Sequence, residues 1–198
     1  DIRKAYDSVD HMALKVVLWA AGVRGAAWQV ISDWLEGTRR RVRVGNGFSK
    51  WYHPTAGVPQ GEVLSPLLYA LFINVAARDL EIMMKHNREW LPLYPANGNP
   101  PPAAKKVNRV IRRAHCILYA DDICLLATSA AQLQRMLECL HGTANKLRFQ
   151  VNTKKTKIMV FRPSKTPAKE WWTKPGRWTM GGDNVPVVKQ FKYLGVYF

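Results

Sequence analysis

The chain has 198 residues, 47% of them apolar, enough to bury one substantial core and to exclude disorder of the whole chain. Thirty Lys and Arg against 14 Asp and Glu give a formal charge of +16. That exceeds what solubility requires and points to a polyanionic partner, nucleic acid first, with a ribosomal or membrane-surface role as the competing reading.

Cys116, Cys124 and Cys139 fit neither a zinc spacing nor a disulfide framework and read as buried apolar residues. No stretch approaches the ~20 apolar residues of a membrane span, and the chain does not open on a signal peptide. One domain is the expectation.

In chain order, His11 to Ala21 sets Leu14, Val17, Leu18 and Ala21 on one helical face, with Gly22 placed for a left-handed C-cap. Ala27 to Glu36 repeats the pattern through Val30, Ile31 and Trp34 and stops at Gly37. Arg40 to Val44 and Trp51 to Thr55, on either side of Gly45-Asn46-Gly47, read as a basic hairpin. Ser65-Pro66 is a good helix start, and the apolar run to Ile82 predicts a long helix buried on most of its circumference.

From Asn87 to Ala104 five prolines remove backbone donors too often for a regular element to persist, and a loop or insertion is expected. His115 to Thr128 reads as a β-hairpin with Asp121-Asp122 at its turn. Ser129 and Gln132 form a capping box ahead of a helix carrying Leu133, Met136, Leu137, Leu140, Ala144 and Leu147. Strands at Phe149 to Asn152 and Lys157 to Phe161, a Pro/Trp/Lys-rich loop to about Asn184, and a last strand pair ending at Phe198 complete the order. Without internal repeats, this mixture favours an α+β fold.

Enzymes that join nucleotides use two divalent cations to activate a hydroxyl and to neutralise pyrophosphate, and hard cations want carboxylate oxygens. Asp1 and the adjacent Asp121-Asp122 are the carboxylates so placed. Taken alone, an Asp-Asp pair is most simply a solvated turn.

Context argues otherwise. Asp1-Ile-Arg-Lys-Ala-Tyr6-Asp7-Ser-Val-Asp-His11 resembles motif A of the reverse transcriptases of LINE-type (non-LTR) retrotransposons, and Tyr119-Ala120-Asp121-Asp122 resembles motif C. Gly57-Val58-Pro59-Gln60-Gly61 with Leu64-Ser65-Pro66-Leu67-Leu68 is similar to motif B. Asn152 to Lys157 resembles motif D, and Phe191-Lys192-Tyr193-Leu194-Gly195 resembles motif E, the primer grip. The five motifs stand in the family's order over essentially the whole chain.

The resemblance implies an RNA-directed DNA polymerase. Asp1, Asp121 and Asp122 would be its catalytic residues and would hold two Mg²⁺ ions, with Mn²⁺ as a substitute. Tyr6 would be the gate that rejects a 2′-hydroxyl, against the ordinary reading of a core tyrosine. Gln60, Gly61 and Lys155 would lie at the nucleotide, Gly61 because a bare backbone permits close approach. Lys155 between Lys154 and Lys157 also reads as a solvated lysine. Tyr193, Leu194 and Gly195 would form the primer grip.

Arg40, Arg41 and Arg43 suit template phosphates, as do Lys105, Lys106, Arg109, Arg112 and Arg113, although charge runs are commonly solvated faces. Trp171, Trp172 and Trp178 offer faces for bases, with packing in a hairpin the commoner use.

The implied architecture is a right-hand polymerase palm, an antiparallel sheet packed on helices with Asp1 and Asp121-Asp122 at adjacent edges. Residues 1–198 would be the palm, 37–56 a partial fingers hairpin and 87–113 a basic, proline-rich insertion. The N-terminal fingers and C-terminal thumb are expected to be missing. The implied partners are an RNA template, a DNA primer and deoxynucleoside triphosphates, in an intracellular, nuclear or cytoplasmic setting without a membrane. Group II intron reverse transcriptases are the nearest alternative, and their Gly-Gly after Gln is not matched by Gly61-Glu62. The alternative from another class is an inert nucleic-acid-binding remnant.

Overall fold

The computed structural model describes residues 1–87, 91–92, 113–161 and 176–198. Its helices are α1 (His11–Ala20), α2 (Gly25–Gly37), α3 (Ser65–Asn87) and α4 (Ala130–Leu147). The strands are short: β1 (Arg43–Val44), β2 (Gly47–Phe48), β3 (Leu91–Pro92), β4 (Arg113–Ala114), β5 (Cys116–Tyr119) and β6 (Asp122–Leu125). After α4 come β7 (Ile158–Met159), β8 (Thr179–Met180), β9 (Asp183–Asn184), β10 (Val187–Val188), β11 (Lys192–Tyr193) and β12 (Val196–Tyr197). Helices combined with small antiparallel strands agree with the expected α+β mixture.

Packing divides the chain into two compact units: Ile2–Ala76 with Ala144–Gln150, and Asp1 with Ala77–Thr143 and Val151–Phe198.

In the first unit, Asp10 begins α1 by accepting the Ala13 N–H at 2.9 Å, which satisfies one of the free donors of the opening turn. The helix ends as predicted, with Gly22 at φ +93. It buries Leu14, Val17 and Leu18 and packs on α2. In α2 the buried positions are Ser32 and Leu35, while Val30, expected on the inner face, is exposed.

The basic hairpin is tighter than expected. Arg43 pairs with Phe48 and Val44 with Gly47 around Gly45 at φ +58, so Gly47 belongs to a strand rather than to the turn. The expected second strand at Trp51 to Thr55 reduces to isolated bridges from Tyr52 to Arg40 and from Ala56 to Asp10. The long helix α3 buries a single stripe, Leu68, Tyr69, Phe72, Ile73 and Ala76, continued by Leu80 and Met84. Leu67 and Ile82 are exposed, so the run is not buried on most of its circumference.

In the second unit, Leu80, Met84 and Met136 form one core cluster, with Cys116, Leu125 and Cys139 packed against it. Leu137, Ile158, Trp178, Met180 and Val185 form another. Trp178 is therefore a core residue and not a stacking platform, while Trp171 and Trp172 lie outside the described residues.

The α4 start is the predicted capping box in altered form. Ser129 Oγ accepts the Gln132 N–H at 3.2 Å, but the Gln132 side-chain carbonyl turns back to the Thr128 N–H at 2.7 Å, one residue earlier than the reciprocal bond requires. Gln132 is buried, and its amide also reaches Met84 Sδ at 3.6 Å.

Several strands depart from expectation. Leu91–Pro92 pairs with Arg113–Ala114 within the segment expected to be irregular; the rest of that segment, with Lys105, Lys106, Arg109 and Arg112, lies outside the described residues. The stretch read as loop before Asn184 contains the β8–β9 hairpin, turned by Gly181 at φ +60 and Gly182 at φ +88. Phe149 to Asn152 forms no strand, and Ile158–Met159 pairs in parallel with Val187–Val188. Among the described residues strands pair only two by two, so the expected continuous sheet with Asp1 at an edge is not formed. All the ladders but β5–β6, which pairs four residues on each strand, are two residues long.

Candidate active site

The β5–β6 hairpin carries the Asp pair. Tyr119 pairs with Asp122, Leu118 with Ile123, Ile117 with Cys124 and Cys116 with Leu125, leaving Ala120 and Asp121 as a two-residue turn. Ala120 takes φ +51, a left-handed conformation that costs an L-residue roughly 1–2 kcal/mol. A positive φ is what a two-residue hairpin turn requires of its central residues. Asp121 thus stands at the tip and Asp122 opens β6, both partly exposed.

Asp1 lies in the same unit. Its carbonyl accepts the Asn152 N–H at 2.9 Å, and its carboxylate Oδ2 holds Lys155 Nζ at 2.8 Å. The turn that presents Lys155 is closed on Asn152, whose carbonyl accepts the Lys155 N–H at 3.1 Å and the Thr156 N–H at 3.0 Å.

Tyr193 joins them. Burial raises its phenol above the ordinary value, with Cys124 and then Asp122 adding to the rise. Its hydroxyl is buried and has no hydrogen-bond partner among the described residues. The β11–β12 hairpin turns just after it through Leu194 at φ +48 and Gly195 at φ +87. A buried phenol left unpaired costs about 1–3 kcal/mol.

Cys116 and Cys124 on the β5–β6 hairpin are free and half-buried. Burial pushes the Cys116 thiol up to about 11, with Cys124 adding, and raises Cys124 as well. They are protonated, inert thiols at neutral pH, in line with the packing role read from their spacing.

The donor chemistry suits a hard divalent cation: three partly sheltered carboxylates. Their arrangement does not yet suit one. Among the described residues no group of three or more His, Cys, Asp and Glu side chains is gathered closely enough to hold an ion.

The other unit carries the remaining candidates. Tyr6 opens a single 3-10 turn, and its ring stacks on Tyr69 of α3 with centroids 4.8 Å apart. Its carbonyl accepts the Val58 N–H at 2.9 Å. Gln60 and Gly61 form an exposed turn before α3, and Gly61 at φ +92 has open space where a side chain would project.

Close approach falls instead on Gly57, at φ +93, where an added Cβ would stand 3.2 Å from the Asp7 Cα and carbonyl oxygen. The Gly57 carbonyl also meets His11 Nε2 at 3.0 Å. Sequence reasoning passed over Gly57; the signal available was a glycine opening the Gly-Val-Pro-Gln-Gly run.

Arg41 lies over the Phe48 ring at 3.9 Å and the Trp51 ring at 4.6 Å, Arg40 bridges to Tyr52, and Arg43 is exposed on β1. The arginines are thus partly engaged with their own hairpin.

The reverse transcriptase (RNA-dependent DNA polymerase) family matches residues 1–198. The chain is 24% identical over 201 residues to the Retrovirus-related Pol polyprotein from type-1 retrotransposable element R2 of Nasonia vitripennis, covering all of this chain and 18% of that protein. It is 34% identical over 165 residues to the Probable RNA-directed DNA polymerase from transposon BS of Drosophila melanogaster, covering 79% of this chain and 15% of that protein. With the Probable RNA-directed DNA polymerase from transposon X-element of Drosophila melanogaster it shares 39% over 72 residues, 36% of this chain and 8% of that one. The chain thus spans less than a fifth of the length of these relatives.

Proposed function

Because the chain belongs to the reverse transcriptase family, we propose that it contributes the polymerase centre of a non-LTR retrotransposon enzyme that copies RNA into DNA. The names carried by the R2, BS and X-element relatives support this reading over the group II intron alternative. The observation that carries it is the Asp121-Asp122 turn, with Asp1, Lys155 and Tyr193 in the same unit.

In this reading residues 1–198 form a right-hand palm with residues 37–56 as part of the fingers. The reaction joins the primer 3′-hydroxyl oxygen to the α-phosphorus of a deoxynucleoside triphosphate. The bond to the bridging oxygen breaks, and pyrophosphate leaves. Asp1, Asp121 and Asp122 would hold divalent cations, Mg²⁺ in the cell, which supply activation of the hydroxyl and neutralisation of the leaving group.

The chain's own contributions are distinct. Tyr6, held flat by Tyr69, would set a wall against a 2′-hydroxyl. Gln60 and the bare backbone of Gly61 would border the incoming nucleotide. Lys155 would supply a cation to the triphosphate, and Tyr193 to Gly195 would support the primer end. Arg40, Arg41 and Arg43 with the overall charge of +16 would favour template phosphates, so binding weakens steeply with salt. A nuclear place of action accords with an element that copies itself into chromosomal DNA.

Incorporation of labelled deoxynucleotides on an RNA template carrying a DNA primer, with and without Mg²⁺, tests the proposal. Primer extension that follows the template sequence supports it. A protein that binds primer-template yet extends it under no divalent-metal condition is the inert binding remnant.

A further inference from the structure

We propose that the β1–β2 hairpin binds single-stranded RNA by stacking bases on Trp51 and Phe48, with arginines held between the rings to meet the phosphates. The role deepens, and rests on, the reading of Arg40, Arg41 and Arg43 as template contacts.

Between Glu36 and Glu62 the sequence has five Lys and Arg and no Asp or Glu. In an antiparallel hairpin, residues two apart on a strand and residues opposite one another share a face. Arg43 lies opposite Phe48 in the ladder. The Arg41 guanidinium stands 3.9 Å from the centre of the Phe48 ring and 4.6 Å from that of Trp51, and Arg39 stands 6.0 Å from Trp51. Arg39, Trp51, Arg41, Phe48 and Arg43 therefore alternate along one face.

Packing does not account for this order. Trp51 is 57% exposed and Phe48 56%, and every residue from 41 to 53 is exposed. Among the described residues none of Arg39, Arg41 and Arg43 has an ion pair or a side-chain hydrogen bond. The Arg24 guanidinium over the Trp19 ring differs, because it also donates to the Trp19 and Val23 carbonyls and is engaged within the protein.

A guanidinium lying on a ring keeps its N–H donors at its edges, so Arg41 can hold a phosphate without leaving Phe48 and Trp51. Ring surface that arginine does not cover is open to bases. A single strand offers unpaired base faces beside its phosphates, whereas a duplex keeps its bases stacked inside. A membrane-binding surface segregates its apolar and basic residues. Here they alternate.

The test is binding of the whole chain to a labelled oligouridylate and to an abasic ribonucleotide strand of the same length, by fluorescence anisotropy over a range of salt. Trp51→Ala is expected to weaken oligouridylate binding roughly 5- to 100-fold, the scale of one lost base stack. The abasic strand should stay within about twofold, since its phosphates are unchanged. Phe48→Ala should act in the same direction, and Trp51→Phe should keep most of the affinity. Arg41→Gln instead is expected to weaken both strands and to reduce the salt slope by about 0.7, one phosphate contact on a single strand. Circular dichroism checks that each chain remains folded.

If Trp51→Ala and Phe48→Ala leave oligouridylate binding unchanged, stacking is overturned. A reduced slope in Arg41→Gln would then leave the phosphate reading standing, and an unchanged slope in the Arg40→Gln, Arg41→Gln, Arg43→Gln triple variant would remove that reading as well. Tighter binding of oligodeoxythymidylate than of oligouridylate would overturn the assignment to RNA. Loss of sedimentation with phosphatidylserine vesicles in Trp51→Ala, with RNA binding kept, would make the hairpin a membrane surface and overturn the proposal.

Discussion

The Tyr6 and Tyr69 rings stack with centroids 4.8 Å apart and planes 15° from parallel. One comes from the short turn that follows the opening residues of motif A, the other from the buried stripe of α3, so the helix dictates how Tyr6 can be oriented. Such a pair contributes about 0.5–1.5 kcal/mol beyond burial. Tyr6→Ala is expected to lower stability and to relax discrimination against ribonucleotides, whereas Tyr6→Phe keeps the ring and the discrimination. Competition between deoxy- and ribonucleotides in primer extension, beside a thermal melt, separates the two effects.

Gly57 and Gly61 share nearly the same φ but not the same surroundings. At Gly57 an added Cβ meets the Asp7 backbone at 3.2 Å, while at Gly61 it meets nothing within 4 Å. Gly61→Ala should cost about 1 kcal/mol from conformation alone. Gly57→Ala adds a backbone clash and should cost about 2–3 kcal/mol, at the upper end of the usual range for single substitutions. Urea midpoints of the two variants read the difference directly, and equal losses would mean that the Asp7 approach does not matter.

The imidazole of His141 lies where a side chain on Gly181 would go, with Nδ1 only 2.7 Å from an added Cβ. Gly181→Ala is therefore expected to destabilise the β8–β9 hairpin through both the clash and φ +60. A second change, His141→Ala, removes the clash and leaves the backbone strain. The double variant should be more stable than the sum of the singles implies, a coupling of about 1 kcal/mol or more.

Cys116 gives a pH dependence. Its thiol is raised from 9.0 to about 11 in the folded chain, chiefly by burial. Below pH 9 the thiol keeps its proton in both states and contributes no slope. Between 9 and 11 the unfolded chain loses the proton while the folded chain retains it, so stability falls as pH rises. Denaturation midpoints measured at about pH 8 and about pH 10.5, on either side of the unfolded value, should show a smaller loss for Cys116→Ala than for the wild type.

Much of this was legible in the sequence where the signal is local. The starts of α1, α3 and α4, the inner faces of α1 and α4, and the hairpin that turns at Asp121 follow from periodicity, caps and turn chemistry. Two-residue strands have no periodicity to read, which is why β2 and the β8–β9 hairpin escaped. The parallel pairing of Ile158–Met159 with Val187–Val188 joins segments far apart in the chain, and no local pattern announces it. Trp178 lies among lysines and an arginine yet is buried in the core, a placement that charge patterning cannot reveal.

The candidate site divides the same way. The carboxylates and the Tyr193-Leu194-Gly195 turn were visible as motifs. The pairing of Lys155 with Asp1 depends on how the Asn152 turn folds back, and the importance of Gly57 depends on its approach to Asp7. Both are tertiary facts.

Service of Asp121 and Asp122 in template-directed nucleotide addition is tested most directly by comparing primer extension on an RNA template by the wild type and by an Asp121→Ala, Asp122→Ala double variant, with primer-template binding measured in parallel. Extension is expected to fall by a factor of about 1,000 or more with binding largely kept, since removing the groups that stabilise developing charge costs on the order of 4 kcal/mol or more. Extension by the double variant at the wild-type rate would contradict that role.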